Sequence, residues 1–155
     1  MLPDQTKVDD FVEFVGANEN RLRHALTAAF GFEVGKEAAA EALAYGWEYW
    51  EKVREMANPV GYLYVVGRSK GRKLLSYRRP IFPPIPEDST PWFEPGLPAA
   101  LAALPEKERT VLLLLHGYGW HMAEVADTLG VSKSTVQTHA ERGMRKLRHK
   151  LGVER

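Results

Sequence analysis

The stretch that decides the fold is "TLGVSKSTVQTHAERGMRKLR", residues Thr128–Arg148. Gly130, Val131 and Ser132 predict a turn, because glycine adopts positive φ without steric cost and serine is a preferred helix N-cap. Beyond the turn, apolar residues recur at helical spacing. The stretch therefore predicts two helices joined by a turn of about three residues, the length found in a helix-turn-helix.

The second of these helices has two unlike faces. Ala126 lies where the two helices should cross, and Val136 should pack the later helix against the earlier ones. The opposite face carries Ser, Thr, Gln and basic side chains, which can hydrogen-bond base edges and phosphates. Because the N-terminal half of such a helix enters the DNA major groove, the pattern favours DNA binding over a generic three-helix bundle. The candidate DNA contacts are Lys133, Ser134, Thr135, Gln137, Thr138, Glu141, Arg142 and Arg145, with Gln137, Thr138 and Glu141 as base contacts and Lys133, Arg142 and Arg145 as phosphate contacts.

An earlier helix of the same half offers one more candidate, Arg109. Its position predicts either a phosphate contact or a surface ion pair with a nearby Glu, and the sequence does not separate the two.

Composition limits the class of protein. Of the 155 residues, 45% are apolar and 26% are charged, which is typical of a globular chain. The sequence has no Cys, so neither a disulfide framework nor a thiolate metal site is expected. No apolar run approaches the ~20 residues that cross a bilayer, and the acidic N-terminus is unlike a signal peptide. We expect a cytoplasmic protein without a membrane span.

Charge is distributed unevenly, although the formal net charge is only +1. Residues 67–79 contain six basic side chains and no acid, and residues 133–150 contain six basic side chains and one Glu. Residues 33–55 contain six Glu against three basic residues. The pattern is compatible with solvated helix faces, and equally with one polyanion site and a separate basic partner.

Proline divides the chain. Seven of the ten prolines lie between Pro80 and Pro98, a density that excludes a helix there. The sequence therefore predicts an all-α protein with a front module, 1–79, a linker, 80–98, and a back module, 99–155. The linker is unusually apolar, and we expect its large side chains to pack on a module or a partner: Ile81, Phe82, Trp92 and Phe93.

The front module has helical periodicity throughout. Asn58 and Pro59 should end one helix and begin the next. Three glycines of that next helix are expected to loosen it, each costing up to ~1 kcal/mol relative to Ala. The expected inward positions of the first helix are Val8, Phe11, Val12, Val15, Leu22, Ala25, Leu26 and Ala29, and the three glycines are Gly61, Gly67 and Gly71.

The back module resembles region 4 of bacterial RNA polymerase sigma factors. The resemblance lies in the Leu-Pro-Glu-x-x-Arg motif that ends at Arg109, the Glu-Val-Ala-x-x-Leu-Gly-Val core, and the Ser-Thr-Val start of the last helix. Within the sigma-70 family, the module is similar to the small extracytoplasmic-function (ECF) group. The resemblance implies that this module recognises the −35 promoter element.

The front module resembles region 2 of the same group more loosely. The resemblance implies binding to core RNA polymerase through its clamp helices and flap, opening of the −10 element, and an anti-sigma factor as a further partner. The implied core polymerase contacts are Glu37, Glu41 and Leu43. The implied −10 contacts are Tyr62, Arg68, Lys70, Arg72, Lys73, Arg78 and Arg79; Tyr64 and Tyr77 are additional candidates for base stacking.

Two other functions stay open at this point. The clamp-binding run from Glu37 to Leu43 lacks the Gln and Phe usual in the family, which is compatible with a sigma-like protein without promoter-melting activity. The last helix is also compatible with a stand-alone, LuxR-like regulator.

An enzyme is not expected. The five His residues share no metal-ligand spacing, and the sequence shows neither a phosphate-binding glycine loop nor a paired acid–base constellation. We therefore expect no catalytic residue, no metal and no cofactor.

Overall fold

A computed structural model describes residues 4–77, 80, 82–84 and 96–153. Within those ranges every regular element is a helix, which confirms the predicted all-α class. The elements are α1 (Gln5–Phe30), α2 (Phe32–Glu48), α3 (Trp50–Val53), α4 (Pro59–Leu75), α5 (Leu97–Ala102), α6 (Glu106–Leu112) with a π-helical turn (Leu113–Gly117), α7 (Met122–Leu129) and α8 (Lys133–Leu151).

The second half of the long helix α1 is the part that is buried in the core. The side chain of Asp4 caps α1 at its start, and Gly31, with φ of 87°, ends it. Leu22 and Leu26 are almost fully buried, as the periodicity predicts. The prediction was wrong for Val12, which is 63% exposed, because its side of α1 faces solvent there.

Helix α4 packs closely on α1 through two of its glycines. A Cβ added at Gly67 would lie 2.5 Å from Cδ1 of Leu26, and one at Gly71 would lie 2.5 Å from the Phe30 ring. The expectation that these glycines loosen α4 stays a prediction about the isolated helix, and in the fold their missing side chains make room for α1.

The back half contains the predicted helix-turn-helix. Gly130 has φ of 71° and ends α7, and the Ser132 hydroxyl accepts a hydrogen bond from the backbone N–H of Thr135 at the start of α8. Val136 is fully buried and Ala126 is 7% exposed, so both positions pack as the sequence predicts. The local sequence signals therefore predict both helices and the turn correctly.

Front and back halves pack against each other and share one hydrophobic cluster. The cluster joins Leu26 and Phe30 of α1 to Val111 and Leu114 of the back half. Phe82, from the predicted linker, is buried in the same cluster at 1% exposure. The burial of Phe82 confirms the expectation that its side chain packs on a module.

Two details of the linker region differ from the sequence expectation or lie outside what the structure describes. Helix α5 begins at Leu97, so helical structure starts just before the predicted linker end at Pro98. Ile81, Trp92 and Phe93 lie outside the described residues.

None of the helices in the described ranges combines the length and apolarity that a membrane span requires.

Candidate nucleic-acid interface

The polar face of α8 is turned to solvent. Helix α8 packs through its other side, where Val136 and Gly143 are buried against the rest of the back half. The Ser132 N-cap fixes where α8 begins, because it satisfies a backbone donor of the first turn. Of the predicted DNA contacts on α8, the exposed ones are Lys133, Ser134, Gln137, Thr138, Glu141, Arg142 and Arg145, and Thr135 is half-buried.

Short-range hydrogen bonds organise this face. The Ser132 hydroxyl lies 3.0 Å from that of Ser134 and 2.9 Å from that of Thr135, and Thr138 donates to the backbone carbonyl of Ser134. Gln137 donates its amide N–H to the Glu141 carboxylate at 3.1 Å. To contact a base, Gln137 would therefore have to give up its hydrogen bond to Glu141, which holds the Gln137 side chain along the helix.

Arg109 is placed differently from the exposed candidates. It is only 7% exposed, and its guanidinium donates to the backbone carbonyls of Leu104 at 2.8 Å and Ala29 at 2.7 Å. The guanidinium also lies 4.3 Å from the centre of the Phe82 ring, and burial lowers the pKa of Arg109. In this arrangement Arg109 joins the two halves, so neither a phosphate nor a surface Glu is its partner here.

The basic helix α4 contributes a second candidate surface. Arg68 and Lys70 are half-buried, and Lys73 is exposed. Arg72 forms a two-point ion pair with Glu106 of α6, with N–O distances of 3.1 and 3.2 Å. Hydrogen bonding to Glu106 raises the pKa of Arg72.

The remaining −10 candidates of this basic run, Arg78 and Arg79, lie outside the described residues.

Tyrosines of the front half occupy three different environments. Tyr62 is half-buried, and its hydroxyl lies 3.1 Å from that of Tyr45, whose ring packs 4.6 Å from Tyr49. Tyr64 is buried, and burial raises its pKa to about 12. Tyr77 is 85% exposed. Tyr62 and Tyr77 are thus accessible for base stacking, and Tyr64 is a core residue.

The predicted core polymerase contacts lie along α2. Glu41 is exposed and Glu37 is half-buried. Leu43 is partly buried and packs against the shared hydrophobic cluster. The two carboxylates therefore remain on the outer side of α2, while Leu43 also belongs to the fold.

Contacts between the halves were not foreseen from the sequence. Tyr118, in the loop before α7, places its hydroxyl 2.8 Å from that of Thr27, and its ring stacks 4.3 Å from the His24 imidazole. Burial is the main cause that lowers the pKa of His24, and the nearby positive charge of Arg23 lowers this pKa further. Thr27 and Tyr118 are 91 positions apart, so no local pattern could have paired them.

A second such contact lies at the start of α4. Asn58 caps α4 through its Oδ1 and donates its Nδ2–H to the backbone carbonyl of Asp127 at 2.7 Å. The Asp127 carboxylate lies 3.7 Å from the Arg21 guanidinium.

Among the described residues, no group of three or more His, Asp or Glu side chains could hold a metal ion.

Comparison with known proteins agrees with this geometry. Residues 96–147 match the family described as Sigma-70, region 4. The sigma factor RpoE from Bartonella quintana, solved with the anti-sigma factor NepR, has a similar fold: TM-score 0.59, 16% identity, covering 94% of this chain and 99% of that one. CnrH, solved with the cytosolic domain of CnrY, is also similar: TM-score 0.58, 20% identity, covering 94% of this chain and 89% of that one. No curated protein sequence matches the chain significantly.

These findings show the fold of the chain. Residues 96–147 match the sigma-70 region 4 family, and the chain as a whole has the fold of ECF sigma factors. The sequence-based prediction of an ECF sigma factor is confirmed at the level of the fold and of the region 4 match.

Proposed function

We propose that this chain binds core RNA polymerase and directs it to a limited set of promoters. The observation that carries the proposal is the exposed polar and basic face of α8, which lies within the residues that match sigma-70 region 4. Such a face, presented by the second helix of a helix-turn-helix, fits the DNA major groove.

The proposal assigns different tasks to the two halves. The back half, residues 99–155, contacts the −35 element through α8. The front half, residues 1–79, contacts the −10 element through α4 and binds the polymerase clamp through the outer side of α2. The exposed acids of α2 suit a basic partner helix, and the cations of α4 suit phosphates, whose neutralisation makes binding salt-dependent. The linker between them, residues 80–98, keeps both halves on one polymerase.

An anti-sigma factor is a further proposed partner. Support comes from the two similar sigma factors, since RpoE was solved with NepR and CnrH with the cytosolic domain of CnrY. The LuxR-like alternative is less well supported, because the similarity to sigma factors spans 94% of this chain, front half included.

Run-off transcription with purified core polymerase tests the proposal. Genomic fragments serve as templates, and core binding is measured separately by co-elution on a sizing column. We expect a discrete product from a few fragments and co-elution with core. The absence of both would overturn the proposal, whereas core binding without any product would favour a sigma-like protein without melting activity.

Two substitutions on α8 test the assignment of base and phosphate contacts. Gln137→Ala should weaken binding to one −35 sequence by about 1–3 kcal/mol and leave other duplexes unaffected, because a bidentate base contact discriminates among bases. Arg142→Ala should weaken all duplexes alike and reduce the salt dependence of binding, because a phosphate contact has no sequence preference. Binding is measured by fluorescence anisotropy on matched duplexes at several salt concentrations, and identical sequence profiles for the two variants would contradict the assignment.

A further inference from the structure

A cavity lies beside the last turns of α8. It is formed where the end of α8 faces the segment that joins α5 to α6, and its volume is about 460 Å³. Cavities of about 300–1,000 Å³ are the size that holds small-molecule ligands. The residues that line this cavity are Ala103, Pro105, Arg145, Lys146, His149 and Lys150.

The two walls of the cavity differ in chemistry. Ala103, which ends α5, and Pro105, which precedes α6, form an apolar wall. The opposite wall is α8, whose cationic lining residues are all exposed, so a ligand can reach them. None of the described residues that line the cavity is acidic. The lining therefore suits an anion that also has an apolar part, because the aliphatic stems of lysines add to the apolar wall.

Contacts with α6 fix the position of the cationic wall. The Lys146 ammonium lies 3.0 and 2.9 Å from the two carboxylate oxygens of Glu108, whose side chain is only 7% exposed. One turn earlier, α8 approaches α6 closely at Gly143, where an added Cβ would lie 2.9 Å from Cδ1 of Leu112. The packing of the back half thus sets this wall opposite Ala103 before any ligand binds.

The helix dipole explains only part of this arrangement. Cations in the last turn stabilise a helix on whichever side they lie, and α8 has Arg148, His149 and Lys150 there. However, Lys146 precedes that turn and lines the same cavity as Lys150, four positions later. Like charges at this spacing repel each other and are destabilising unless an anion lies between them.

The spacing of the cations favours linked phosphates. Lys146 and Lys150 are about 6 Å apart along the helix axis, at a rise of about 1.5 Å per residue. Two linked phosphate groups can contact both ammonium groups, and the Arg145 guanidinium can bind a phosphate or stack on a planar ring. Ala103 and Pro105 offer a surface on which such a ring can lie.

We propose that this cavity binds a nucleoside diphosphate. The phosphates contact the cations of α8, and the nucleoside lies against the apolar wall. Lys150 is about 25 Å along the helix from Lys133, about twice the width of the DNA major groove, so the cavity lies beyond the bases that the start of α8 contacts. Arg145 belongs to both surfaces, so the bound nucleotide weakens DNA binding. That last step rests on the proposed function, whereas the binding site does not.

An NMR titration of the full chain tests the site. GDP, ADP and pyrophosphate are added at an ionic strength of about 0.15 M, without divalent metal, so that surface charges are screened. We expect saturable shifts of the backbone amides of Ala103 and of residues 145–150. Pyrophosphate should bind more weakly than either nucleotide, because it has no ring to place on the apolar wall. The absence of saturable shifts, shifts confined to residues 133–142, or equal affinity for pyrophosphate would overturn the proposal.

Charge reversal at two neighbouring positions provides matched variants. Lys150→Glu changes a residue that lines the cavity, and Arg148→Glu makes the same charge change at an exposed residue of the same turn that does not line it. Lys150→Glu should weaken GDP binding about tenfold, because a hydrogen bond to a charged group is lost, and Arg148→Glu should change it less than about threefold. Circular dichroism verifies that both variants are folded. Equal losses in the two variants would overturn the proposal.

Duplex DNA distinguishes a free nucleotide from the DNA backbone as the source of the phosphates. Saturating GDP should weaken duplex binding to the wild type, measured by fluorescence anisotropy, and should have no effect on Lys150→Glu. Duplex shifts at Ala103 and residues 149–150, with none from GDP, would identify the DNA backbone as the occupant and overturn the proposal. GDP binding that Lys150→Glu abolishes, in a chain that neither binds duplex DNA nor supports transcription, would show that the site is real and that the proposed function is wrong.

Discussion

Truncation of the buried linker aromatic, Phe82→Ala, is the most informative stability test. Phe82 is 1% exposed and lies 4.3 Å from the Arg109 guanidinium. Removing a buried phenylalanine side chain costs about 3–5 kcal/mol, which includes the transfer term and the cavity term. We take the lower end, about 3 kcal/mol, as the expected cost. If the linker were a free tether, the cost would be within about 0.5 kcal/mol, as at most surface sites.

Urea unfolding followed by circular dichroism measures this cost. With a slope of about 2 kcal/mol/M for a chain of this size, a loss of 3 kcal/mol lowers the midpoint by about 1.5 M. Phe82→Leu should lose only about 1 kcal/mol, because it keeps apolar volume and gives up the cation–π contact. Val12→Ala, at a site 63% exposed, is the control and should leave the midpoint unchanged. A midpoint for Phe82→Ala equal to that of the control would refute the burial of Phe82 between the halves.

Three further perturbations test other parts of the structure. Gly71→Ala should destabilise the chain by about 1–3 kcal/mol despite better helix propensity, since the new Cβ would meet the Phe30 ring at 2.5 Å; a stabilised variant in urea unfolding would contradict this close approach. Ser132→Ala should cost about 1 kcal/mol in thermal or urea unfolding through loss of the α8 cap, and an unchanged midpoint would exclude a capping role. Acidification should destabilise the chain: because burial lowers the pKa of His24, the folded chain binds fewer protons than the unfolded one, so this contribution to stability is full above the ordinary value near 6.5 and is lost as pH falls below it. Urea midpoints measured between pH 7.5 and 5 should fall less for His24→Gln than for the wild type, and identical pH profiles for the two proteins would contradict the assignment to His24.

The helix-turn-helix was predictable from sequence because its signals are local. A glycine at the end of α7 and a serine at the start of α8 act on backbone groups within a few residues. The exposed face of α8 follows from helical periodicity alone. The family match over residues 96–147 covers the part of the chain where these signals are strongest.

The interface between the halves was not predictable, because it depends on contacts between distant residues. Arg109 and Ala29 are 80 positions apart, and the charge of Arg109 favoured the prediction of a surface position. The packing role of the α4 glycines was also not predictable, because propensity describes an isolated helix and the α1 side chains that occupy the space are elsewhere in sequence. Proline density predicted the linker, whereas the burial of Phe82 requires both halves to be docked.

Photo-crosslinking from α8 in the polymerase complex tests the central claim most directly. p-Benzoylphenylalanine is placed at position 137, and the complex is assembled from this chain, core polymerase and a promoter fragment that gives a run-off product. We predict a crosslink to DNA at the upstream promoter element, with none from the same probe placed at the exposed position of Glu13 on α1. A crosslink from position 137 to polymerase alone, or equal DNA crosslinking from both positions, would contradict it.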